Sequence, residues 1–413
     1  MRKLCLPEIQ NQLWTILSAG TSAIYASLLV LITTRLVDLT SAGMLGYAAA
    51  VSELLRILVM FGARNYQGTD IRQEFSFNIY LCLRTLSALL ASTVLVMLLI
   101  LGDFDISGGL IITLFYVAYL IDMYADVFMG DFQQKGKMRI AGRMRASGFV
   151  GALVAFGFAA IITRTLVIPL IFASITIFCV YVVWIWSYRS HFGLKRSKPG
   201  LSVVLKLAFN ALPIALTSTL SAYLYNAQKY YLGVLGLYDD VAVISILMLP
   251  AMVLNMFCVF FFMGAELTRV AEIYARGQTE WFYKRINQQL LFAIALFIPF
   301  MASVYFLGIP ILSWLYGVDL SPYKSYLIAL SSGGVFLALV AVLNSVLIVM
   351  RKQKVALLCT ITVAIISGAV MWFLVSRQGI QGAAFSNLVI YAPLSVLFYI
   401  SYRVAILRHV NLS

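Results

Sequence analysis

Charge is what this chain has least of. Only 11% of its 413 residues are Asp, Glu, Lys or Arg, and just 16 of them are carboxylates. A soluble protein wants about 25% charge, so with 62% apolar residues the composition excludes a soluble globular class. Histidine is scarcer, with His191 in a gap between apolar runs and His409 after the last of them. The five cysteines include no CxxC spacing: Cys82, Cys179, Cys258 and Cys359 lie in apolar runs and Cys5 near the start. No disulfide, metal or other cofactor is expected from them. Long polar segments are missing too. No gap between apolar runs exceeds about 28 residues, which leaves no room for a catalytic domain on either side of a membrane.

Apolar runs are what the chain has instead. They cover about 13–34, 42–61, 78–101, 109–129, 147–163, 166–187, 206–232, 241–263, 289–316, 325–350, 355–376 and 383–402. Most reach the roughly 20 residues that cross a hydrocarbon core at about 1.5 Å per residue. The pattern predicts an all-α polytopic membrane protein with about twelve transmembrane helices. The first run follows Arg2 and Lys3, and at about 22 residues with no secreted domain after it, it is expected to stay as the first helix.

The basic residues alternate with these runs. If the N-terminus is cytoplasmic, 25 of the 30 Lys and Arg lie on the inner side, counting Arg56 and Arg84 near inner helix ends. Only Arg35, Arg164, Lys229, Lys324 and Arg377 lie outside. Lys and Arg are retained on the cytoplasmic side, so both termini are expected there, in a multi-pass protein of the cytoplasmic (inner) membrane. The net charge of +14 is thereby read as topological anchoring, and no nucleic-acid partner is expected. The cluster from Lys135 to Arg145 is assigned to this anchoring.

A basic segment with Gly193, Pro199 and Gly200 separates the sixth and seventh runs. It divides the chain into a six-helix bundle over 1–188, a cytoplasmic linker over 189–205 and a second six-helix bundle over 206–413. Phe61-Gly62-Ala63-Arg64 after the second run is echoed by Met263-Gly264-Ala265-Glu266 after the eighth, which suggests duplication. Repeats of six helices keep one orientation, so a pseudo-twofold axis along the membrane normal follows, a plan that puts a substrate between halves.

Short motifs carry a resemblance. Ser22-Ala23-Ile24-Tyr25-Ala26, Thr34-Arg35-Leu36, Ala42-Gly43-Met44 and Phe61-Gly62-Ala63-Arg64-Asn65-Tyr66-Gln67 with Asp70 stand in the first half. Leu212-Pro213, Tyr223-Leu224-Tyr225-Asn226, Lys229-Tyr230-Tyr231, Leu267-Thr268-Arg269 and Gly379-Ile380-Gln381-Gly382-Ala383-Ala384 stand in the second. Over nearly its whole length the chain resembles bacterial polysaccharide flippases, the Wzx-type O-antigen and exopolysaccharide exporters of the multidrug/oligosaccharidyl-lipid/polysaccharide (MOP) superfamily. The resemblance implies a V-shaped, MATE-like pair of bundles around a cavity that opens alternately to either side. It implies a cargo as well: polyprenyl-diphosphate-linked oligosaccharide units, moved from inner to outer leaflet for cell-surface polysaccharide biosynthesis, with ion coupling. A monomer in contact with membrane lipids, and with a polysaccharide polymerase or glycosyltransferases, is the implied working unit. A sugar diphosphate cannot cross about 30 Å of hydrocarbon unaided, whereas a polyprenyl tail stays in lipid.

Such a cargo needs a polar, cationic path, and the candidates are the ionisable groups that topology does not explain. Glu53 and Arg56 are one helical turn apart and can pair; Arg56 is assigned to the diphosphate and Glu53 to H⁺ or Na⁺ coupling, with a structural ion pair as the alternative. The seventh run carries Asn210, Thr217, Ser221, Tyr225, Asn226, Gln228 and Lys229 as a polar stripe. The family's cavity is bordered by the first and seventh helices, so Lys229, Asn226 and Tyr225 become substrate-binding candidates; otherwise Lys229 sits at the outer interface with Tyr230 and Tyr231. Asp122 and Asp126 are carboxylates four residues apart on the fourth run. Asp122 is assigned to ion coupling, and Asp126 to solvent or to Arg84. Arg64, with Asp70, Arg72 and Glu74, is placed where a diphosphate headgroup gathers, or where anchoring salt bridges form.

Two alternatives stay open. A MATE-like small-molecule antiporter predicts an acidic, largely non-cationic cavity. An integral-membrane polysaccharide polymerase or ligase predicts a large outer loop or a catalytic His. The residues favour a transporter over an enzyme.

Overall fold

The computed structural model describes residues 6–69, 74–102, 104–192, 200–263 and 265–410. Among them the ordered elements are all helical. They are α1 (Leu6–Leu36), α2 (Leu39–Met60), α3 (Ala63–Thr69), α4 (Phe77–Leu101), α5 (Ile106–Gln134), α6 (Met138–Thr163) and α7 (Val167–Ser187). After the linker come α8 (Leu201–Val234), α9 (Tyr238–Leu247), α10 (Leu249–Met263), α11 (Ala265–Ala275), α12 (Thr279–Ser303) and α13 (Ile309–Tyr316). The chain ends with α14 (Lys324–Val349), α15 (Gln353–Gln378), α16 (Ile380–Ala384) and α17 (Ser386–Val410).

Twelve helical stretches among the described residues are long and apolar enough to cross a membrane, as the pattern of apolar runs predicts. The protein is therefore a multi-pass membrane protein. The ends differ in one direction. α5 runs on to Gln134, α6 begins at Met138 and α12 at Thr279, each several residues beyond its apolar run. An apolar run stops at the first charge, but Lys, Arg, Gln and Glu are good helix formers and the ladder continues through them.

Local signals set several ends. The Asp38 carboxylate caps α2 by accepting from Ser41 N at 2.7 Å, and that of Asp105 caps α5 from Gly108 N at 2.9 Å. Phe61 turns left-handed (φ 45°) and closes α2 through its N–H to Ile57 O. Gly379 (φ 55°, ψ −129°) stops α15 in a backbone region that favours glycine, before the short α16. The span Thr279–Tyr316 carries Pro299 and then a π-helical segment, Val304–Gly308, between α12 and α13.

The chain divides into two compact units, Met1–Ala222 and Tyr223–Ser413, with the division inside α8. In the first, α6 packs on α1 and α7, and α5 packs on α2, α4 and α7. Phe75, Phe77, Tyr80, Leu83 and Val127 form a core at one end with Val204 and Leu207 of α8. In the second, α14 packs on α10, α12 and α17, while α15 lies on α17. In each unit a spanning helix is followed by a short one, α3 after α2 and α11 after α10, where the echoed Phe61–Arg64 and Met263–Glu266 motifs stand.

Candidate functional site

Buried charge is concentrated in the first unit, where α2, α3, α4, α5 and α6 each contribute. Asp122 and Asp126 point from α5 into the bundle, with their side chains 0% and 2% exposed. Asp126 sits among three guanidiniums. Arg145 of α6 donates Nη2–H to its Oδ1 at 2.6 Å, Arg84 of α4 donates Nη2–H to its Oδ2 at 3.1 Å, and Arg64 Nε lies 3.5 Å from Oδ1. Burial draws the Arg64 guanidinium below its ordinary pKa against the pull of Asp126.

The same side chains tie the helix ends together. Arg84 Nη1–H and Ser87 Oγ–H both donate to the carbonyl of Val59, at 2.9 and 2.7 Å. That carbonyl belongs to the last turn of α2, where no intrahelical donor is left. Gln67 on α3 donates Nε2–H to Val127 O at 3.1 Å and clips α3 onto α5.

Asp122 is held differently. Tyr181 of α7 donates its hydroxyl to Oδ1 at 2.8 Å, and Arg145 Nε is 3.4 Å from the same oxygen. Gly148 on α6 makes room for Tyr181, whose ring lies where a Cβ would stand. The other oxygen, Oδ2, is buried and has no partner among the described residues.

Glu53 and Arg56 form a bidentate pair, Nε–H to Oε2 at 2.8 Å and Nη2–H to Oε1 at 2.6 Å. The Arg56 guanidinium also lies 5.5 Å from the centre of the Tyr119 ring. With the Arg56 side chain 21% and that of Glu53 29% exposed, this pair is far more open than Asp126. A charged pair part-way along a spanning helix faces water or a polar ligand rather than lipid.

In the second unit Tyr225, Asn226 and Lys229 lie together on the last turns of α8. Asn226 is buried and Lys229 half-buried. Next to them Gln228 is fully buried, donating Nε2–H to Tyr225 O at 3.1 Å and touching Met248 Sδ, while its Oε1 has no partner among the described residues. Tyr223 and Tyr231 share a hydroxyl contact of 2.5 Å, and Tyr231 donates to Gly368 O at 3.2 Å.

The comparisons with known proteins bear on this arrangement. No protein-family profile and no curated protein sequence matches the chain. Among solved structures it is similar to a multidrug resistance MATE family transporter of the MOP superfamily in an inward-facing conformation. The TM-score is 0.72 at 15% identity, over 95% of this chain and 96% of that one. A MOP superfamily transporter from Pyrococcus furiosus gives 0.60 at 15% identity, over 98% and 95% of the two chains. A eukaryotic MATE transporter gives 0.58 at 14%, over 97% and 99%. The chain has the MATE fold. At such identities that likeness carries the backbone plan, and the chemistry of this MATE-fold chain rests on its own side chains.

The sequence-derived candidates therefore form two groups. Arg64 and Asp122 join one network through Asp126 and Arg145, with the Glu53–Arg56 pair as a separate clasp in the same unit; Tyr225, Asn226 and Lys229 belong to the second unit. The pairing of Asp126 with Arg84 follows the expectation. Arg145 departs from it: assigned to the topological anchors, it is ion-paired to both carboxylates inside the bundle. The clue is helical reach, because α6 starts at Met138 and so carries Arg145 two turns inward from the basic end. Tyr181 and Tyr119 are further participants that sequence reasoning missed; a Tyr in an apolar run gives no signal that separates a ligand from packing. The polar stripe on α8 also reads differently. Thr217, half-buried, and Ser221, exposed, bond back to the carbonyls of Pro213 and Thr217, both at 2.8 Å, so no cleft is needed to satisfy them. Asp70 and Arg72 lie outside the described residues, as do the side chains of His191 and His409.

Proposed function

We propose that the protein is a membrane transporter that flips an anionic, polyprenyl-diphosphate-linked oligosaccharide from the inner to the outer leaflet by alternating access. The carrying observation is the charge balance inside the first unit. Four guanidiniums, those of Arg56, Arg64, Arg84 and Arg145, stand against the three carboxylates of Glu53, Asp122 and Asp126. A surplus positive charge within a membrane-spanning bundle is costly, and a diphosphate relieves it. Arg56 differs from the other three in that its carboxylate partner, Glu53, is itself part-exposed, whereas Asp122 and Asp126 are closed off. The bidentate guanidinium matches a phosphate, so the cargo and the Glu53 carboxylate would compete for one side chain. Arg64 is the second phosphate candidate, and Lys229, with Asn226 and Tyr225, is the candidate of the second unit. The unpartnered Oδ2 of Asp122 suits a proton or a Na⁺. Two six-helix halves, cytoplasmic termini and action as a monomer complete the reading, with lipid-linked oligosaccharide, membrane lipids and H⁺ or Na⁺ as partners.

A small-molecule antiporter is the second reading. It is favoured by the multidrug MATE transporters with which the chain shares its fold and by the buried pair Asp122 and Asp126. Within that fold polarity matters: the Pyrococcus furiosus structure is described as one whose reversed pocket polarity suggests a different function. The surplus of guanidiniums here supports an anionic cargo over a lipophilic cation.

The test is binding of a polyprenyl-diphosphate sugar to the purified chain. Arg56→Ala is expected to weaken binding about tenfold or more, the scale of a lost charge-assisted hydrogen bond. Equal affinity of the wild type for a lipophilic cation, or no loss in Arg56→Ala, would overturn the assignment.

A further inference from the structure

The second unit carries a cleft of about 480 Å³ that the transport reading does not use. It falls within the ~300–1,000 Å³ typical of small-molecule sites. Three helices wall it, with Leu290, Leu291 and Ile294 on α12, Leu343 on α14, and Val396 and Tyr399 on α17. These walls are hydrocarbon, and they open outward: Leu291 is 67% exposed and Val396 54%. Exposed aliphatic side chains on spanning helices face lipid, so a chain of the bilayer is what meets this cleft.

One end of the cleft is charged. Four residues beyond Tyr399 on the same face of α17 stands Arg403, and four before Asn287, which also lines the cleft from α12, stands Tyr283, each one turn or about 6 Å further along its helix. The two meet there. Arg403 Nη1–H donates to the Tyr283 hydroxyl, and its guanidinium lies 5.1 Å from that ring's centre. Arg285 nearby in sequence is neutralised by Glu266 at 2.7 Å. Arg403 has no carboxylate partner among the described residues, so four of its five N–H donors are left for another acceptor.

We propose that this cleft is a binding site for an anionic phospholipid of the bilayer, with one acyl chain between α12, α14 and α17 and the phosphate on Arg403. The side agrees with the ligand. Lys284, Arg285, Arg351, Lys352 and Arg403 flank this end of the three helices, and basic ends collect the acidic lipids of the leaflet they face. The occupant is a phospholipid rather than the polyprenyl-diphosphate cargo, because the lone guanidinium of Arg403 matches one phosphate rather than two. The site stands whether or not the chain moves oligosaccharides.

The experiment is native mass spectrometry of the delipidated full-length protein, titrated with phosphatidylglycerol and with phosphatidylcholine of identical acyl chains. The wild type is expected to prefer phosphatidylglycerol about tenfold, the scale of one charged hydrogen bond. Arg403→Gln should erase that preference and Arg403→Lys should keep most of it. Leu291→Trp with Val396→Trp, at exposed positions that fold tolerates, should fill the cleft and weaken both lipids. A preference that survives Arg403→Gln, undiminished binding in the double tryptophan variant, or stronger binding of a polyprenyl monophosphate than of phosphatidylglycerol would overturn the proposal.

Discussion

Three guanidiniums converge on Asp126, whose own side chain is closed to water. Removing one partner of a buried ion pair costs about 3–5 kcal/mol, since the remaining charges stay buried and uncompensated. Asp126→Asn should therefore lower the thermal unfolding temperature sharply, while Glu53→Gln, at the exposed edge, should barely move it. Glu53→Gln has a different expected signature: tighter binding of a diphosphate headgroup, because Arg56 loses its internal competitor. Affinities of both proteins for that headgroup, measured side by side, check this. The Glu53–Arg56 pair was legible in the sequence because i,i+3 neighbours on a helix must meet. The attachment of Arg145 to Asp122 and Asp126 was not, since three-dimensional neighbours on α5 and α6 leave no mark in linear spacing. An arginine next to a basic loop looks the same whether it points to solvent or two turns inward.

At the scale of elements, the two short helices that follow the echoed motifs are fastened by opposite charges. Arg64 on α3 reaches a carboxylate of α5, whereas Glu266 on α11 accepts from Arg285 of α12 at 3.0 and 2.7 Å. The hydrogen bonds from Arg285 hold the Glu266 carboxyl below the usual carboxylate range. A depressed folded-state pKa contributes stability above the unfolded value, about 4.3 for Glu, and loses it as pH falls through the folded value. The difference in unfolding temperature between wild type and Glu266→Gln should thus be present at pH 6 and close progressively in acid. The spans themselves were legible because a hydrophobic stretch of about 20 residues has few other fates. Their ends were not, because helical hydrogen bonding outlasts the apolar pattern, as at the start of α12, ten residues before its run. Nor did that pattern reveal the π-helical segment after Pro299, since Val304–Gly308 is as apolar as its neighbours.

For the whole molecule, the formal charge of +14 is read mostly as a topological address. Subtracting the basic residues at helix ends leaves a small set of interior charges, and the proposed anionic cargo rests on their balance. The coupling assignment of Glu53 and Asp122 makes transport depend on a gradient. In liposomes, flipping should accelerate under a pH or Na⁺ gradient in the wild type and lose that response in Glu53→Gln with Asp122→Asn. Equal rates with and without gradients in the wild type would remove the coupling role. The most direct measurement is a side-by-side transport assay of the purified chain in proteoliposomes, with a fluorescent polyprenyl-diphosphate oligosaccharide in one arm and a lipophilic cation dye in the other. The account predicts movement of the oligosaccharide, lost in Arg56→Ala, and no protein-dependent movement of the dye; transport of the dye alone would contradict it.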